Sequence, residues 1–192
     1  LSAETIAPET EAKGEKWYTY VVVDETSPRM NNQTYTDLLN KEAVDEFIRV
    51  THERYAEKVG ADFGNTVPAI FTDEPAFNRY GTLAYSGQKS DIYLPWSECL
   101  PEIYRAKHGG DLMAMLPEVI WQLPDNAPSE NRWKVHDFIA EQFVENFMDN
   151  IGAWCDRHGI ALTGHVLHEE TMGRQAGDVG EAMRNYRRMA LP

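Results

Sequence analysis

The sequence predicts an α/β fold with parallel strands, and the prediction rests on three observations. Short apolar runs of strand character alternate with longer stretches of helical periodicity, which is the pattern of such folds. The short runs lack a strict apolar–polar alternation, as expected for strands covered on both faces. Each run is followed by acidic residues, at the strand end where parallel α/β folds place their sites.

Three strands are predicted within a single domain that covers residues 17–192. The first, Trp17–Val23, consists entirely of aromatic and β-branched residues and is expected to be buried. Val67–Thr72 forms the second strand and Ile160–Leu167 the third. The polar residues 1–16 are predicted to be a loop or a linker.

The helices are predicted from their caps and breakers. Asn40 caps a helix that ends at Gly60. A second strong helix covers 130–158, and its apolar stripe includes Trp133, Ile139, Phe143, Phe147, Ile151 and Trp154. Asp178 and Glu181 are expected to cap a final helix.

A long helical insertion is predicted after the second strand, at about residues 76–130. It is expected to hold one helix over 97–108 and another that Asp111 caps and Pro117 stops. Long insertions of this kind often carry function. The predicted order is therefore about three strand–helix units with one insertion.

Composition excludes several classes of partner. The 192 residues include 31 acidic and 18 basic residues, for a formal net charge of -13. Nucleic acids and anionic membrane surfaces attract basic faces, so neither is an expected partner. No apolar run reaches the 18 residues of a membrane span. A neutral substrate such as a glycoside or an oligosaccharide is compatible with this charge.

Acidic residues follow all three predicted strands. Asp24 follows the first strand, Asp73 and Glu74 follow the second, and Glu169 and Glu170 follow the third. The carboxyl ends of parallel strands meet at one rim, so we expect these carboxylates to share an anionic pocket. Crowded carboxylates raise one another's pKa, and one of them can thereby become a proton donor near neutral pH.

Glycoside hydrolysis uses such a pair, in which one carboxylic acid protonates the leaving oxygen and one carboxylate acts as base or nucleophile. Glu74 is the first candidate because it directly follows an apolar strand and Pro75 restricts its backbone. Glu170 is the candidate for the second carboxylate, and Glu169 is its alternative, because neighbouring side chains at a strand end alternate in direction. The competing interpretation for both stretches is a solvated polar turn.

The expected substrate-binding residues are Asp73, His165, Asp24 and Trp96. Carboxylates and imidazoles form hydrogen bonds with hydroxyl groups, and sugar rings stack on aromatic faces. Trp96 is expected to form a stacking wall with Trp121 and Tyr93 of the insertion. The competing interpretations are that these rings pack the core of the insertion and that His165 is a satisfied interior histidine.

A metal site is a further possibility at the third strand. His165 and His168 would face opposite ways on an extended strand, so a shared zinc ion is not expected. Calcium takes oxygen ligands and suits the carboxylates better. The residues themselves demand no cofactor and are compatible with calcium, and a metal-dependent hydrolase that uses His165 stays open as an alternative.

Several stretches resemble the catalytic barrel of large bacterial glycoside hydrolases of the family 106 rhamnosidase type. The resemblance spans roughly residues 17–192. It is carried by Tyr35–Asn40, Ile70–Pro75, Leu94–Trp96, Gly164–Glu170, Gly177–Asp178 and Met189–Pro192.

The resemblance implies a (β/α)8 barrel of the TIM type, two glutamates as acid and base, and an inverting mechanism assisted by calcium. By position, Glu74 matches the acid at the end of a middle strand, and Glu170 or Glu169 would supply the second carboxylate. A complete barrel has eight strands and about 250 residues. We therefore expect a part of a barrel, inactive by itself, that associates with itself or packs against further barrel segments.

Two functions are predicted from these observations. The first is a fragment of a glycoside hydrolase that cleaves O-glycosidic bonds, with α-L-rhamnosides among its substrates. The alternative is a non-catalytic carbohydrate-binding or interaction module on an α/β scaffold, which needs aromatic side chains but no paired carboxylates. Residues 1–16 do not resemble a signal peptide and the chain begins with Leu1, so we expect a fragment or a processed chain, in the bacterial cytoplasm or secreted.

Overall fold

A computed structural model of the protein describes residues 6–7, 9–77, 80–85 and 87–191. The described chain is mixed α/β and mostly helical, with two parallel strands. The strands are β1 (Ala69–Asp73) and β2 (Ala161–His165). The α-helices are α1 (Lys41–Val50), α2 (His52–Val59), α3 (Leu100–His108), α4 (Leu112–Ile120), α5 (Glu130–Phe143), α6 (Asn150–His158), α7 (Met172–Asp178) and α8 (Ala182–Tyr186).

The two strands pair in parallel over their full length, from Ala69 opposite Ala161 to Asp73 opposite His165. This part of the α/β prediction is confirmed. The described residues form no closed barrel, and the expected partial (β/α)8 barrel is not confirmed.

The predicted first strand is wrong. Trp17–Val23 belongs to neither strand of the sheet, and the exposed fractions of Tyr20 and Val23 are 78% and 77%. The run has strand propensity, but propensity describes a side-chain surface and supplies no hydrogen-bonding partner. The segment is therefore an extended chain that lies at the surface.

The long helical run after the insertion forms the centre of the core. Helices α5 and α6 are joined without a break by the π-helical turn Val144–Asp149. Phe138, Phe143 and Trp154 of this run are almost completely buried, and α6 packs against β2. The predicted helix is confirmed over residues 130–158, but Trp133 is exposed and does not belong to its buried stripe.

The predicted helix after Asn40 consists of two helices. Asn40 accepts a hydrogen bond from the Glu42 N–H, as a cap should. At Thr51 the backbone departs from helical geometry and the Thr51 hydroxyl donates to the Phe47 carbonyl oxygen. A side chain that bonds to the preceding turn in this way bends a helix, and α2 starts from the bend.

The predicted insertion at about 76–130 contains α3 and α4, and its residues 78, 79 and 86 lie outside the described chain. Asp111 caps α4, as predicted. Pro117 does not stop α4, which continues to Ile120. A proline late in a nine-residue helix removes only one internal hydrogen bond, and α4 packs against α5.

Two further predictions concern the ends of the chain. Asp178 does not cap the final helix; it ends α7, which the sequence did not predict, and Glu181 stands at the N-cap of α8. The loop or linker at residues 1–16 includes residues 1–5 and 8, which lie outside the described chain, as does Pro192. Among the described helices, none has the length and apolar character needed to cross a bilayer.

Candidate functional site

The carboxyl ends of β1 and β2 bring together three of the predicted site residues. Asp73 is opposite His165 in the parallel ladder, and the Glu74 N–H donates to the His165 carbonyl oxygen at 3.1 Å. The rim formed by residues 73–77 and 165–168 is called the carboxyl rim below. Parallel pairing in this register therefore places two carboxylates and one imidazole at one edge.

Asp73 and His165 are in direct contact. The distance from His165 Nε2 to Asp73 Oδ1 is 3.3 Å, and the exposed fractions of the side chains are 41% and 74%. The Phe71 ring stands edge-on to the imidazole, with the centroids 5.8 Å apart. Because Asp73 is largely exposed, the pair contributes little to stability and remains available to a ligand.

Glu74 has an unusual backbone for a residue with a Cβ. Its φ angle is +50°, in the left-handed region, and Pro75 follows it. Such conformations cost about 1–3 kcal/mol and are concentrated at functional sites. The hydrogen bond from the Glu74 N–H to the His165 carbonyl oxygen ties this residue to β2.

The Glu74 carboxylate lies at the surface beside one cation. Its side chain is 40% exposed, and Oε2 is 3.6 Å from an Arg29 guanidinium nitrogen that belongs to a side chain 78% exposed. Arg29 lies in a short 3-10 helix, Pro28–Met30, which Ser27 caps. At that distance and exposure the pair is loose, so the carboxylate is accessible to a ligand.

Tyr35 forms a hydrogen bond with the segment that follows Glu74 in the chain. Its hydroxyl accepts a hydrogen bond from the Ala76 N–H at 3.4 Å. Burial raises the pKa of the Tyr35 hydroxyl, so the group is a neutral phenol over the physiological range. The stretch from Glu74 to Ala76 is thus held both from β2 and from the loop before α1.

A second histidine–aspartate pair lies at the same rim, and sequence reasoning did not assign it. His168 Nδ1 is 2.7 Å from Asp178 Oδ2, and the exposed fractions of the side chains are 41% and 21%. The Asp178 carbonyl oxygen also accepts from the Phe77 N–H at 2.9 Å. The sequence placed Asp178 in a helix cap, and no local signal links it to a histidine ten residues earlier.

Glu169 and Glu170 follow β2 but occupy an exposed turn. Glu170 Oε1 is 3.4 Å from an Arg174 guanidinium nitrogen, one helical turn later. The Glu169 carbonyl oxygen accepts from Gln175 at 2.7 Å. The pairing of either glutamate with Glu74 therefore stays a prediction.

The remaining predicted substrate-binding residues are Asp24 and Trp96. Asp24 is exposed and follows the unpaired segment, so it does not stand at the end of a strand. The Trp96 ring is partly buried against the core, and Trp121 is only 7% exposed, in edge contact with Trp17. Tyr93 is 54% exposed. The stacking wall stays a prediction, with Tyr93 as its exposed ring.

Among the described residues, no cluster of side chains fits the calcium ion that the family resemblance implies. Within the part of the chain that is described, no three His, Cys, Asp or Glu side chains are grouped so that they could hold a metal ion. His165 contacts Asp73, and His168 contacts Asp178, so the two imidazoles have different carboxylate partners. We therefore assign no step of the chemistry to a metal.

A cavity with a volume of about 400 Å³ lies beside β1. It is an open groove lined mainly by apolar side chains of α1, α2, β1 and the loop between α2 and β1, including Phe47, Tyr55, Phe63 and Phe71. Its lining contains no carboxylate. The groove offers mainly apolar surface, with His52 in its lining, and it contains none of the carboxylates of the carboxyl rim.

Comparisons with known proteins find similarity in structure but not in sequence. No protein-family model matches the chain, and no curated protein matches it. Among solved structures, the chain is similar to a rhamnosidase from Novosphingobium sp. PP1Y, with a TM-score of 0.56 and 14% sequence identity. The match covers 81% of this chain and 13% of the rhamnosidase chain. At this identity the likeness shows the fold of a small region of that enzyme.

Proposed function

We propose that this chain is part of the catalytic domain of a glycoside hydrolase, with Glu74 as the general acid. The observation that carries the proposal is the position of Glu74: it directly follows β1, its left-handed backbone is held by β2, and its carboxylate is accessible. Active sites of parallel α/β folds form at this end of the strands. The structural likeness to a rhamnosidase supports the choice of reaction and makes α-L-rhamnosides the first substrates to test.

Each residue at the rim has a role in the proposed reaction. Glu74 protonates the glycosidic oxygen as the bond to the sugar breaks. Asp73 and His165 bind sugar hydroxyl groups, which suits their contact and their exposure. Glu170, or Glu169 in its place, acts as the second carboxylate. A carboxyl separation of roughly 6.5–9.5 Å from Glu74 would give inversion, and one of about 5–5.5 Å would give retention.

The proposed domain extends beyond this chain. A (β/α)8 barrel has eight strands, whereas the described chain pairs two. The activity is therefore proposed for the chain together with further barrel segments, or for an assembly in which copies of the chain cover each other.

The test is hydrolysis of a panel of 4-nitrophenyl glycosides, led by the α-L-rhamnoside. The 192-residue chain and the longest gene product that contains it are assayed side by side. Glu74→Gln keeps the size and hydrogen-bonding shape of the side chain but removes the proton, so we expect kcat to fall at least about 100-fold. Glu57→Gln changes an exposed glutamate of α2 in the same way and should leave the rate unchanged.

Two outcomes would contradict the proposal. Equal rates for Glu74→Gln and Glu57→Gln would remove Glu74 from the reaction. Binding of sugars by a folded protein that cleaves none of the panel would instead favour the carbohydrate-binding module.

A further inference from the structure

The His168–Asp178 pair and Glu74 are connected by a closed frame of short segments. One side of the frame is the stretch from Glu74 to Phe77, and the other is the stretch from His165 to His168. The first residues of the two stretches are joined by the hydrogen bond that the Glu74 N–H donates to the His165 carbonyl oxygen at 3.1 Å. Asp178 joins the other ends, because it accepts from the Phe77 N–H at 2.9 Å and contacts His168 Nδ1 at 2.7 Å.

This frame limits how far the second imidazole lies from the proposed acid. Three residues of extended chain span at most about 11 Å, so the Cα atoms of His165 and His168 are no farther apart than that. The two histidine–aspartate pairs and Glu74 therefore lie along one rim.

Asp178 fixes the chemical state that His168 presents. A carboxylate oxygen accepts hydrogen bonds, so Nδ1 of His168 carries the proton that it donates to Asp178, and Nε2 is the ring nitrogen left for a ligand. Within the described chain, Nε2 has no hydrogen-bonding partner, and the side chain is 41% exposed. Nε2 of His168, on a ring held through Nδ1 by Asp178, is thus available to a ligand at the rim.

The backbone at His168 repeats the feature seen at Glu74. Its φ angle is +54°, again in the left-handed region and again just after a strand. Backbone strain of this kind is concentrated at functional sites. Two residues with left-handed φ angles thus lie at one rim, one after each strand, and both side chains are candidates for contact with a ligand.

A purely structural role for the His168–Asp178 pair does not account for the exposed His168 side chain. The backbone hydrogen bonds from Phe77 to Asp178 and from Tyr80 to Gly177 already join α7 to the segment after β1. An exposed imidazole adds little to that connection. The accessible Nε2 acceptor has no function in such a role.

We propose that His168 is a substrate-contacting residue of the carboxyl rim, whose Nε2 accepts a hydrogen bond from a sugar hydroxyl group, and that Asp178 is its positioning residue. The inference rests on the proposed function for the class of ligand, because it deepens the assignment of that site. No covalent step is involved. Glu74 donates the proton in the reaction, and His168 orients the sugar ring.

The first test separates contact with the substrate from the structural role of His168. In His168→Asn, the amide nitrogen takes the place of Nδ1 and keeps the bond to Asp178, asparagine accepts the left-handed backbone, and Nε2 is lost. One hydrogen bond to the substrate is worth about 1.4 kcal/mol, so KM should rise about tenfold with a smaller change in kcat. Glu74→Gln, by contrast, lowers kcat.

The control is His158→Asn. His158 also bonds through Nδ1, to the Trp154 carbonyl oxygen at 2.8 Å, but it ends α6 before β2 begins, at the opposite end of the strand. It should change KM by less than about twofold. An unchanged KM in His168→Asn, with the protein folded, would overturn the proposal.

The second test needs neither a variant nor hydrolysis. Imidazole ¹⁵N signals of the unaltered protein are recorded during titration with L-rhamnose, L-fucose, D-galactose and methyl α-L-rhamnoside. We expect the His168 Nε2 signal to shift with at least one sugar while the His158 signals stay in place. If the shift occurs and no glycoside is cleaved, His168 stands as a sugar contact and hydrolysis is the part that fails. No shift with any of the four probes would overturn the inference.

Discussion

Strained backbone at Glu74 and His168 is the feature that most distinguishes the carboxyl rim at the residue scale. Each left-handed residue costs about 1–3 kcal/mol, which the surrounding contacts must offset. The bond from Glu74 to His165 and the bond from His168 to Asp178 provide that support. The two side chains proposed for catalysis and binding are therefore those that the fold holds in costly positions.

His136 gives a prediction about pH at the residue scale. Its ring stacks on Tyr80 with the centroids 3.7 Å apart, and its Nε2 is buried with no hydrogen-bonding partner among the described residues. Burial, assisted by the nearby Arg132 charge, lowers the pKa of His136 to about 4. In the unfolded chain the pKa is about 6.5, so the unfolded state binds more protons between these values.

The direction of the change in stability with pH follows from that difference in proton binding. As pH falls from about 6.5 to about 4, protonation favours the unfolded chain and the folded state loses stability. Above that window both states are neutral at this residue. His136→Phe keeps a stacked ring and removes the titration, so its free energy of unfolding should change less with pH across the window. Urea denaturation at a series of pH values measures both proteins, and parallel curves would contradict the assignment.

Part of the site is predictable from the sequence, and part is not. Asp73, Glu74 and His165 come together because each ends a short apolar run, and such ends meet in a parallel pair. The pairing of His168 with Asp178 depends on a left-handed residue and on α7, which neither composition nor periodicity signals. Sequence patterns indicate which local secondary structure a segment prefers. The contact between His168 and Asp178 depends instead on the path of the chain between β2 and α7.

At the scale of elements, the pairing of β1 and β2 depends on one glycine. Gly164 has a φ angle of +137°, and a Cβ at this position would collide with the Thr72 carbonyl oxygen. Gly164→Ala should therefore force the strands apart and destabilise the protein by at least about 2 kcal/mol. Because the shift separates Asp73 from His165, sugar binding should weaken as well.

Gly173→Ala is the matched control, since an added Cβ there meets no atom within 4 Å and lies in α7. Its stability should stay equal or rise slightly, because alanine favours a helix. Chemical denaturation of the two variants tests the difference. A Gly164→Ala protein as stable as Gly173→Ala would show that the strands do not approach as closely as described.

The elements also show why one helix is predicted correctly from the sequence and one strand is not. The helix over residues 130–158 carries its own hydrogen bonds and its own apolar face, so its sequence is sufficient. Trp17–Val23 has strand character of the same quality, but a strand needs a neighbour. The described chain pairs no neighbour with it, and seven residues of strand propensity remain unpaired.

At the scale of the whole molecule, exposed apolar surface predicts association. Val21, Val22 and Val23 are 62–77% exposed, and the apolar groove of about 400 Å³ lies beside β1. Exposed apolar segments and unpaired strand edges tend to bind further chains. We expect the chain to self-associate, the more so at high salt, because added ions screen the repulsion between copies with a net charge of -13.

Sedimentation velocity at several protein concentrations measures that association. Val22→Lys should shift the distribution towards monomer, whereas Val50→Lys, at a 43% exposed position of α1, should not. A monomer at all protein concentrations and salt levels would contradict the prediction that the exposed apolar segment causes self-association.

The central claim is that Glu74 donates the proton to the leaving oxygen, and its most direct test varies the leaving group. Hydrolysis of 2,4-dinitrophenyl, 4-nitrophenyl and phenyl α-L-rhamnosides is measured for the unaltered protein and for Glu74→Gln. A good leaving group departs without protonation, so the variant should lose little rate on the dinitrophenyl substrate and at least about 100-fold on the phenyl substrate. The same loss on all three substrates would contradict the role of Glu74 as the acid.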